Sequence, residues 1–240
     1  MCQDCGCGDE NIIPLPVQQR LLARNDNVAA HNREHFQERA IFSVNLMGSP
    51  GSGKTAVLEA TAGALHGGHR LAAFAGDLAT DNDAARLSKA GIRSKAITTG
   101  QACHLDAEMV HHALHDFDLA GVDYFFIENV GNLVCPAVYD LGQTVNVVAL
   151  SVTEGEDKPI KYPTMFAKAD LVLLTKVDLL RHLPDVRVAA IVEALGRVMP
   201  DPQLIPISTV GGRDGIAAWT EWLSQRREAS ISPQLAGKNA

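Results

Sequence analysis

The sequence predicts an α/β fold, a mostly parallel sheet covered by helices on both faces, and three observations carry that prediction. The apolar run 41–47 leads directly into G-S-P-G-S-G-K-T at 48–55, a complete G-x-x-x-x-G-K-T phosphate-binding loop set between a strand and a helix. Short strand-like runs at 71–75, 95–99, 124–127, 145–152, 171–174 and 204–207 alternate with helix-length segments, as parallel strands joined by crossover helices do. The chain has 240 residues, 46% of them apolar, enough to bury one sizeable core, so one α/β domain with short appendages suffices.

Taken in order, residues 1–16 are rich in Cys and Gly without a hydrophobic period and read as a mobile arm. Residues 17–40 read as an amphipathic helix packed on the main domain, because Val17, Leu21, Val28, Ala29 and Phe36 recur at near-helical intervals in a polar stretch. Residues 41–223 form a P-loop NTPase domain. The polar stretch 224–240 reads as a disordered tail.

Acidic residues outnumber basic ones, 28 to 21, and the net charge of −7 argues against nucleic acid or an anionic membrane as a partner. No apolar run reaches the roughly 18 residues of a membrane span, and the start lacks the apolar stretch of a signal peptide, so a cytoplasmic protein is expected. In that reducing setting, five cysteines are better read as metal ligands than as disulfide partners.

The nucleotide chemistry sits where a parallel sheet presents it, just after the strands. In the loop Gly48, Ser49, Pro50, Gly51, Ser52 and Gly53 can turn backbone N–H groups toward phosphate oxygens, with Ala56 in the helix that follows. Lys54 supplies a cation for the β and γ phosphates, and the Thr55 hydroxyl can ligate Mg²⁺. Asp77, after the second strand, and Glu128, after the fourth, are the candidate carboxylates for Mg²⁺ and catalysis; Thr80 and Gly131 lie in loops able to sense the γ-phosphate. The T-K-V-D stretch Thr175, Lys176, Val177 and Asp178 approaches the N-K-x-D motif of GTP-binding proteins. There an aspartate accepts from guanine N1 and N2, whereas adenine would leave it unpaired.

Metal chemistry is suggested twice. Cys2, Cys5 and Cys7 put three thiols within six residues on a backbone loosened by glycine, spacing that can wrap a soft or borderline ion; a redox-labile tail is the plainer alternative. Cys103, His104 and Cys135 form a second candidate set, against which stands the reading of two buried, inert cysteines. His111, His112 and His115 read as a solvated helix face, with His111 and His115 on one side of it.

Longer stretches then resemble the HypB family of hydrogenase maturation GTPases: D-L-A-T-D-N-D-A-A-R at 77–86, T-G-Q-A-C-H-L-D at 99–106, F-I-E-N-V-G-N-L-V-C-P at 126–136 and S-V-T-E-G-E-D-K-P-I-K-Y-P at 151–163, together with the M-C-x-x-C-G-C start. The resemblance covers 1–222. It implies a GTPase of the dimerising class that includes the signal-recognition-particle GTPases, which helps load Ni²⁺ into [NiFe] hydrogenase with HypA, a small zinc-containing partner. By position, Cys2, Cys5 and Cys7 match the family's tight nickel motif, and Cys103, His104 and Cys135 match the nickel or zinc site of its GTPase domain. Thr175 stands where the family usually has Asn, leaving Asp178 to read the base. S-T-V-G-G at 208–212 departs from the family's S-A-K-T-G, with Ser208 at the position that contacts the far side of the base. Because Cys135 lies four residues beyond Gly131, loop movement on hydrolysis is expected to move a metal ligand, coupling metal to nucleotide state. No residue to orient the attacking water and no arginine finger is evident, so slow intrinsic hydrolysis is expected. Two other readings remain open: a nickel GTPase serving urease, and a metal-storage protein with weak nucleotide turnover.

Overall fold

A computed structural model describes the backbone of residues 15–237 and the side chains of residues 19–231. Its centre is a seven-stranded sheet in the order β3-β2-β4-β1-β5-β6-β7, every neighbouring pair parallel. After α1 (Leu15–Glu38), the chain forms β1 (Phe42–Gly48), α2 (Lys54–Leu65), β2 (Leu71–Asp77), α3 (Asn82–Lys89), β3 (Arg93–Thr98), α4 (Ala107–His115) and β4 (Tyr124–Glu128). It continues through β5 (Val145–Ser151), two short helices α5 (Lys158–Lys161) and α6 (Pro163–Ala167), β6 (Leu171–Thr175), α7 (Val188–Gly196), β7 (Leu204–Ile207) and α8 (Ile216–Gly237). β1 lies at the centre with β4 on one side and β5 on the other, so the crevice for ligands opens beyond its carboxyl end.

The strands alternate between two apolar layers, as the period of two in a pleated strand requires. Phe42, Val44, Leu46, Tyr124 and Phe126 face Val57, Leu58, Trp219 and Leu223 on one side. Phe125, Ile127 and Phe74 face Phe36, Val110 and Leu114 on the other, and Val148, Leu150 and Leu174 face Phe166, Ile191 and Leu195. β1 itself turns Ser43 and Asn45 to this second side. Both are buried and paired, Ser43 Oγ with Thr144 Oγ1 at 3.1 Å and Asn45 Nδ2 donating to Asn146 Oδ1 at 3.1 Å, which removes the cost of burying them.

Two expectations change. α1 packs on α4, but its buried face is Asn25, Ala29, Asn32 and Phe36, while Leu21 is 49% exposed. The asparagines are buried because each meets backbone: Asn25 Nδ2 donates to Asp140 O at 2.8 Å and its Oδ1 accepts from Ala107 N–H at 2.9 Å, satisfying a helix-start donor of α4. Residues beyond 223 are not a disordered tail as far as Gly237, because α8 continues to that point. Ile216, Trp219 and Leu223 anchor its first turns, Trp219 Nε1 donates to Thr61 Oγ1 at 2.9 Å, and further along Arg227 pairs with Asp123 at 3.0 Å over the Tyr124 ring. The arm that carries Cys2, Cys5 and Cys7 lies outside the described residues. Among the described residues, no helix is long and apolar enough to cross a membrane.

Candidate nucleotide and metal site

The loop between β1 and α2 wraps beyond the end of the central strand, and its glycines are there for steric reasons. Gly48 has φ +148°, and a Cβ on it would sit 2.4 Å from Ala149 O. Lys54 is buried, and its Nζ donates to Gly48 O at 3.3 Å and Ser49 O at 3.1 Å, so the ammonium is held over the loop. Burial lowers the Lys54 pKa against the attraction of Glu128, Asp83 and Glu154.

Beneath the loop, Thr55 Oγ1 lies 2.7 Å from Glu128 Oε1 and 3.0 Å from Asp83 Oδ1. The strand register explains Glu128: it pairs with Leu46 of β1 and Ala75 of β2, at the sheet edge under the phosphate loop. It is 4% exposed, its Oε2 is buried without a hydrogen-bond partner, and burial pushes its pKa up to about 7 despite the Thr55 hydrogen bond and Lys54. A hydroxyl and two carboxylates, one of them with an orphaned buried oxygen, converge here, a donor set that fits a hard, oxygen-seeking cation such as Mg²⁺.

Sequence reasoning did not single out Asp83. Asp77 lines the same cleft, but its Oδ1 accepts from the N–H groups of Ala79 at 2.9 Å and Thr80 at 2.8 Å, closing the turn after β2 and lowering its pKa. Asp83, in the first turn of α3, is the second carboxylate that meets Thr55. Arg86, on the same helix, grips Glu59 through Nε at 3.0 Å and Nη2 at 2.7 Å and approaches Asp83 at 3.4 Å. Ser49 Oγ donates to Glu154, also unforeseen; Glu154 in turn accepts from Ser151 N–H at 2.9 Å.

The far end of the loop meets the T-K-V-D segment. Thr175 Oγ1 donates to Ser52 O at 2.6 Å, and Lys176 Nζ donates to Gly51 O at 2.7 Å. Lys176 has φ +59°, an unfavourable conformation for a non-glycine residue, which carries the chain from β6 into the turn holding Asp178. The hydroxyl of Thr175 therefore braces the phosphate loop. Asp178 and Ser208 come together, Ser208 Oγ lying 2.7 Å from Asp178 Oδ1 and 2.9 Å from Val210 O.

The second cluster also assembles. The ligand atoms of Cys103, His104 and Cys135 all lie within 4.8 Å of one another. The two Sγ atoms are 3.1 Å apart, Cys103 Sγ is 3.9 Å from His104 Nδ1, and the His104 ring stacks on Tyr139 with centroids 4.0 Å apart. Burial lowers the His104 pKa, favouring the neutral ligand form, and raises that of the Cys135 thiol, aided by Cys103. Two thiols and an imidazole suit a borderline ion such as Ni²⁺ or Zn²⁺.

A short chain of bonds joins cluster and loop. Asn132 N–H donates to Gly48 O at 3.1 Å, and Asn132 Nδ2 donates to Cys103 O at 3.2 Å. Gly131 just before it presses on Pro50, whose Cα a Cβ would approach to 2.8 Å. His112 and His115 are exposed as expected, whereas His111 is half-buried: its Nδ1 lies 3.0 Å from Asn32 Oδ1, and burial together with neighbouring imidazoles lowers its pKa.

Residues 42–204 match the family model for the CobW/HypB/UreG nucleotide-binding domain. The hydrogenase maturation factor HypB of Azotobacter vinelandii is 49% identical over 92% of this chain and 72% of its own length. Among solved structures, HypB from Helicobacter pylori in complex with nickel superposes with TM-score 0.81 at 37% identity, over 87% of this chain and 97% of that one. The hydrogenase maturation factor HypB of Archaeoglobus fulgidus gives 0.78 at 37% identity, over 86% and 100%. With two-thirds of the chain inside that domain and near-half identity to a HypB that it largely spans, the chain belongs to the HypB hydrogenase maturation factors, P-loop GTPases of the CobW/HypB/UreG family.

Proposed function

We propose that this chain is a slow, metal-gated GTPase in which nickel is the cargo, taken up at Cys103, His104 and Cys135 and passed on under control of the nucleotide. The observation that carries the reading is the connection from Gly48 O through Asn132 to Cys103 O, which ties the phosphate loop to a metal ligand's backbone. A change at the γ-phosphate that shifts the 128–132 segment would pull on the cluster, and by linkage the ion would act back on nucleotide affinity.

In this reading Lys54 and the loop N–H groups bind the β and γ phosphates, and Asp178 accepts from guanine N1 and N2 while Thr175 and Lys176 hold the loop to the base segment. Thr55, Glu128 and Asp83, with Asp77 at the edge of the cleft, would hold Mg²⁺, which neutralises phosphate charge when bound. Lys54 and, with its carboxylate kept ionised by bound Mg²⁺, Glu128 would act by charge rather than by proton transfer, and turnover without a partner is slow. The three ligands of the cluster are one short of a closed tetrahedral shell, leaving a position for a second copy of the chain or a donor protein. Zn²⁺ is the competing occupant. Cys2, Cys5 and Cys7 would hold nickel in the arm. Following the family resemblance, the partners are a second copy of the chain, HypA and the [NiFe] hydrogenase large subunit, and the setting is the cytoplasm.

The deciding experiment measures hydrolysis of GTP and ATP side by side, with and without stoichiometric Ni²⁺. Slow, GTP-selective turnover that shifts with nickel supports the proposal; equal use of ATP, or turnover indifferent to the ion, overturns it.

A further inference from the structure

His111 and His115 stand one turn apart on α4, and α1 brings His35 alongside them. The Nε2 atoms of His111 and His115 are 3.1 Å apart, and the His35 ring centroid is 6.0 Å from that of His111. The three imidazoles line an open cavity of about 580 Å³; Arg39 on its rim is turned to His35 O and the Glu38 carboxylate.

The hydrogen bonds of Asn32 fix how the pair can be protonated. Asn32 is fully buried, and its Nδ2 donates to two backbone carbonyls, Ala107 O at 2.9 Å and Leu141 O at 3.1 Å. Carbonyls only accept, so the amide cannot be turned the other way, and it is Oδ1 that faces His111 Nδ1 at 3.0 Å. An amide oxygen also only accepts. His111 therefore carries its proton on Nδ1, and the Nε2 of its neutral ring presents a lone pair toward His115. Metal-binding imidazoles are held in this way, the second ring nitrogen donating to a fixed acceptor. Two nitrogens 3.1 Å apart, each about 2.05 Å from one ion, would subtend an angle of about 100°, between the square-planar and tetrahedral values.

We infer that His111 Nε2 and His115 Nε2 form a separate two-imidazole site for a borderline divalent ion such as Zn²⁺, Ni²⁺ or Cu²⁺, with His35 on the facing helix beside it but outside ligand distance. Its ligands are all nitrogen, unlike the thiolate clusters, and it lies along α4 from the end that follows His104. In the metal-free protein His115 Nε2–H donates to His111; binding moves that proton, by exchange with solvent, to His115 Nδ1, so the ring stays neutral and Nε2 is free to ligate. The site does not depend on the proposed coupling of metal and nucleotide.

The test uses the full chain with all five cysteines changed to Ser, titrated with Zn²⁺ alone and followed through the side-chain nitrogen resonances of its histidines. The expected result is the Nδ1–H tautomer of His111 before addition, joint movement of the His111 and His115 Nε2 resonances within the first equivalent, and at least tenfold weaker binding in the exposed His115→Ala variant. Unmoved resonances at one equivalent, or equal affinity in His115→Ala, overturn the site. If the cysteine-free variant does not fold, the same resonances are followed in the unsubstituted chain after its thiols are saturated with Zn²⁺, and their failure to move with further metal overturns the site equally.

Discussion

Thr55 Oγ1 and Glu128 Oε1 lie 2.7 Å apart in a buried contact that joins the first turn of α2 to the end of β4. Glu128 is held near neutrality by burial, with a pKa of about 7, above the 4.5 of a free side chain. The folded state therefore binds the proton more tightly than the unfolded chain, and the stability contributed by the protonated form is lost as pH rises from about 4.5 through about 7. In the metal-free and nucleotide-free protein, Glu128→Gln removes this dependence. Urea midpoints at pH 5 and pH 8 should show the variant gaining on the parent by up to about 3 kcal/mol between the two. A constant difference would mean that Glu128 ionises normally in the fold.

Asp178 is the carboxylate of the base segment that the guanine reading uses, and Ser208 Oγ lies 2.7 Å from its Oδ1. Replacing it with Asn turns one acceptor into a donor facing guanine N–H groups. Asp178→Asn should weaken GTP binding by about 1.5–3 kcal/mol, the range for hydrogen bonds to a charged group, and leave the phosphate contacts intact. Fluorescent-nucleotide titration checks this: xanthosine triphosphate, whose ring offers an acceptor in place of the 2-amino group, should overtake GTP in the variant.

Cys103 and Cys135 stand with their sulfurs 3.1 Å apart, and burial raises the Cys135 pKa. A thiol that holds its proton must release it to bind a metal, so Ni²⁺ or Zn²⁺ affinity at this cluster should rise with pH and binding should liberate protons. Calorimetry in buffers of different ionisation enthalpy measures that release. Cys103→Ala should weaken the metal-dependent dimerisation proposed above while leaving GTP affinity within about twofold, since the hydrogen bonds of Cys103 run to His104, Cys135 and Asn132 and not to the phosphate loop; equal loss of both would contradict the division of labour.

Much of this was legible in the sequence for a physical reason: strands buried on both faces are unbroken apolar runs, and a phosphate loop needs its glycines in fixed places. The residues that were not legible act across long separations. Asp83 reaches Thr55 because α3 starts beside α2, and Asn32 reaches two carbonyls because α1 lies along α4; nothing local marks either. Asn25 and Asn32 read as part of a polar helix face although they are buried, since side-chain polarity does not reveal whether backbone partners await. The Gln, Arg and Ser content after residue 223 reads as disorder, yet a helix already nucleated by the packing of Trp219 and Leu223 continues through Gln225, Arg226, Arg227, Glu228 and Ala229, residues of good helical propensity. Thr175 lacks the side-chain amide of the family's usual Asn, but its hydroxyl donates to Ser52 O, a partner that no local pattern marks.

Asn132 offers the sharpest test of coupling, because its backbone and side chain serve the two sites separately. Its N–H is bonded to Gly48 O, and its amide is bonded to Cys103 O and accepts from Val134 N–H at 2.9 Å. Asn132→Ala keeps the first link and deletes the second, at a folding cost of about 1 kcal/mol for partly exposed hydrogen bonds. GTP affinity without metal should stay within about threefold of the parent, because no phosphate-loop atom loses a partner. The ratio of Ni²⁺ affinities with GTP analogue and with GDP should fall toward one, from a parent ratio on the order of 5–150 if the coupling is of ordinary allosteric size. Reciprocity supplies an internal check: the effect of Ni²⁺ on nucleotide affinity must shrink by the same factor. A variant that binds both ligands and keeps the parent ratio would show that the Gly48–Asn132–Cys103 connection carries no coupling, and that the signal passes instead through Gly131 and the backbone leading to Cys135.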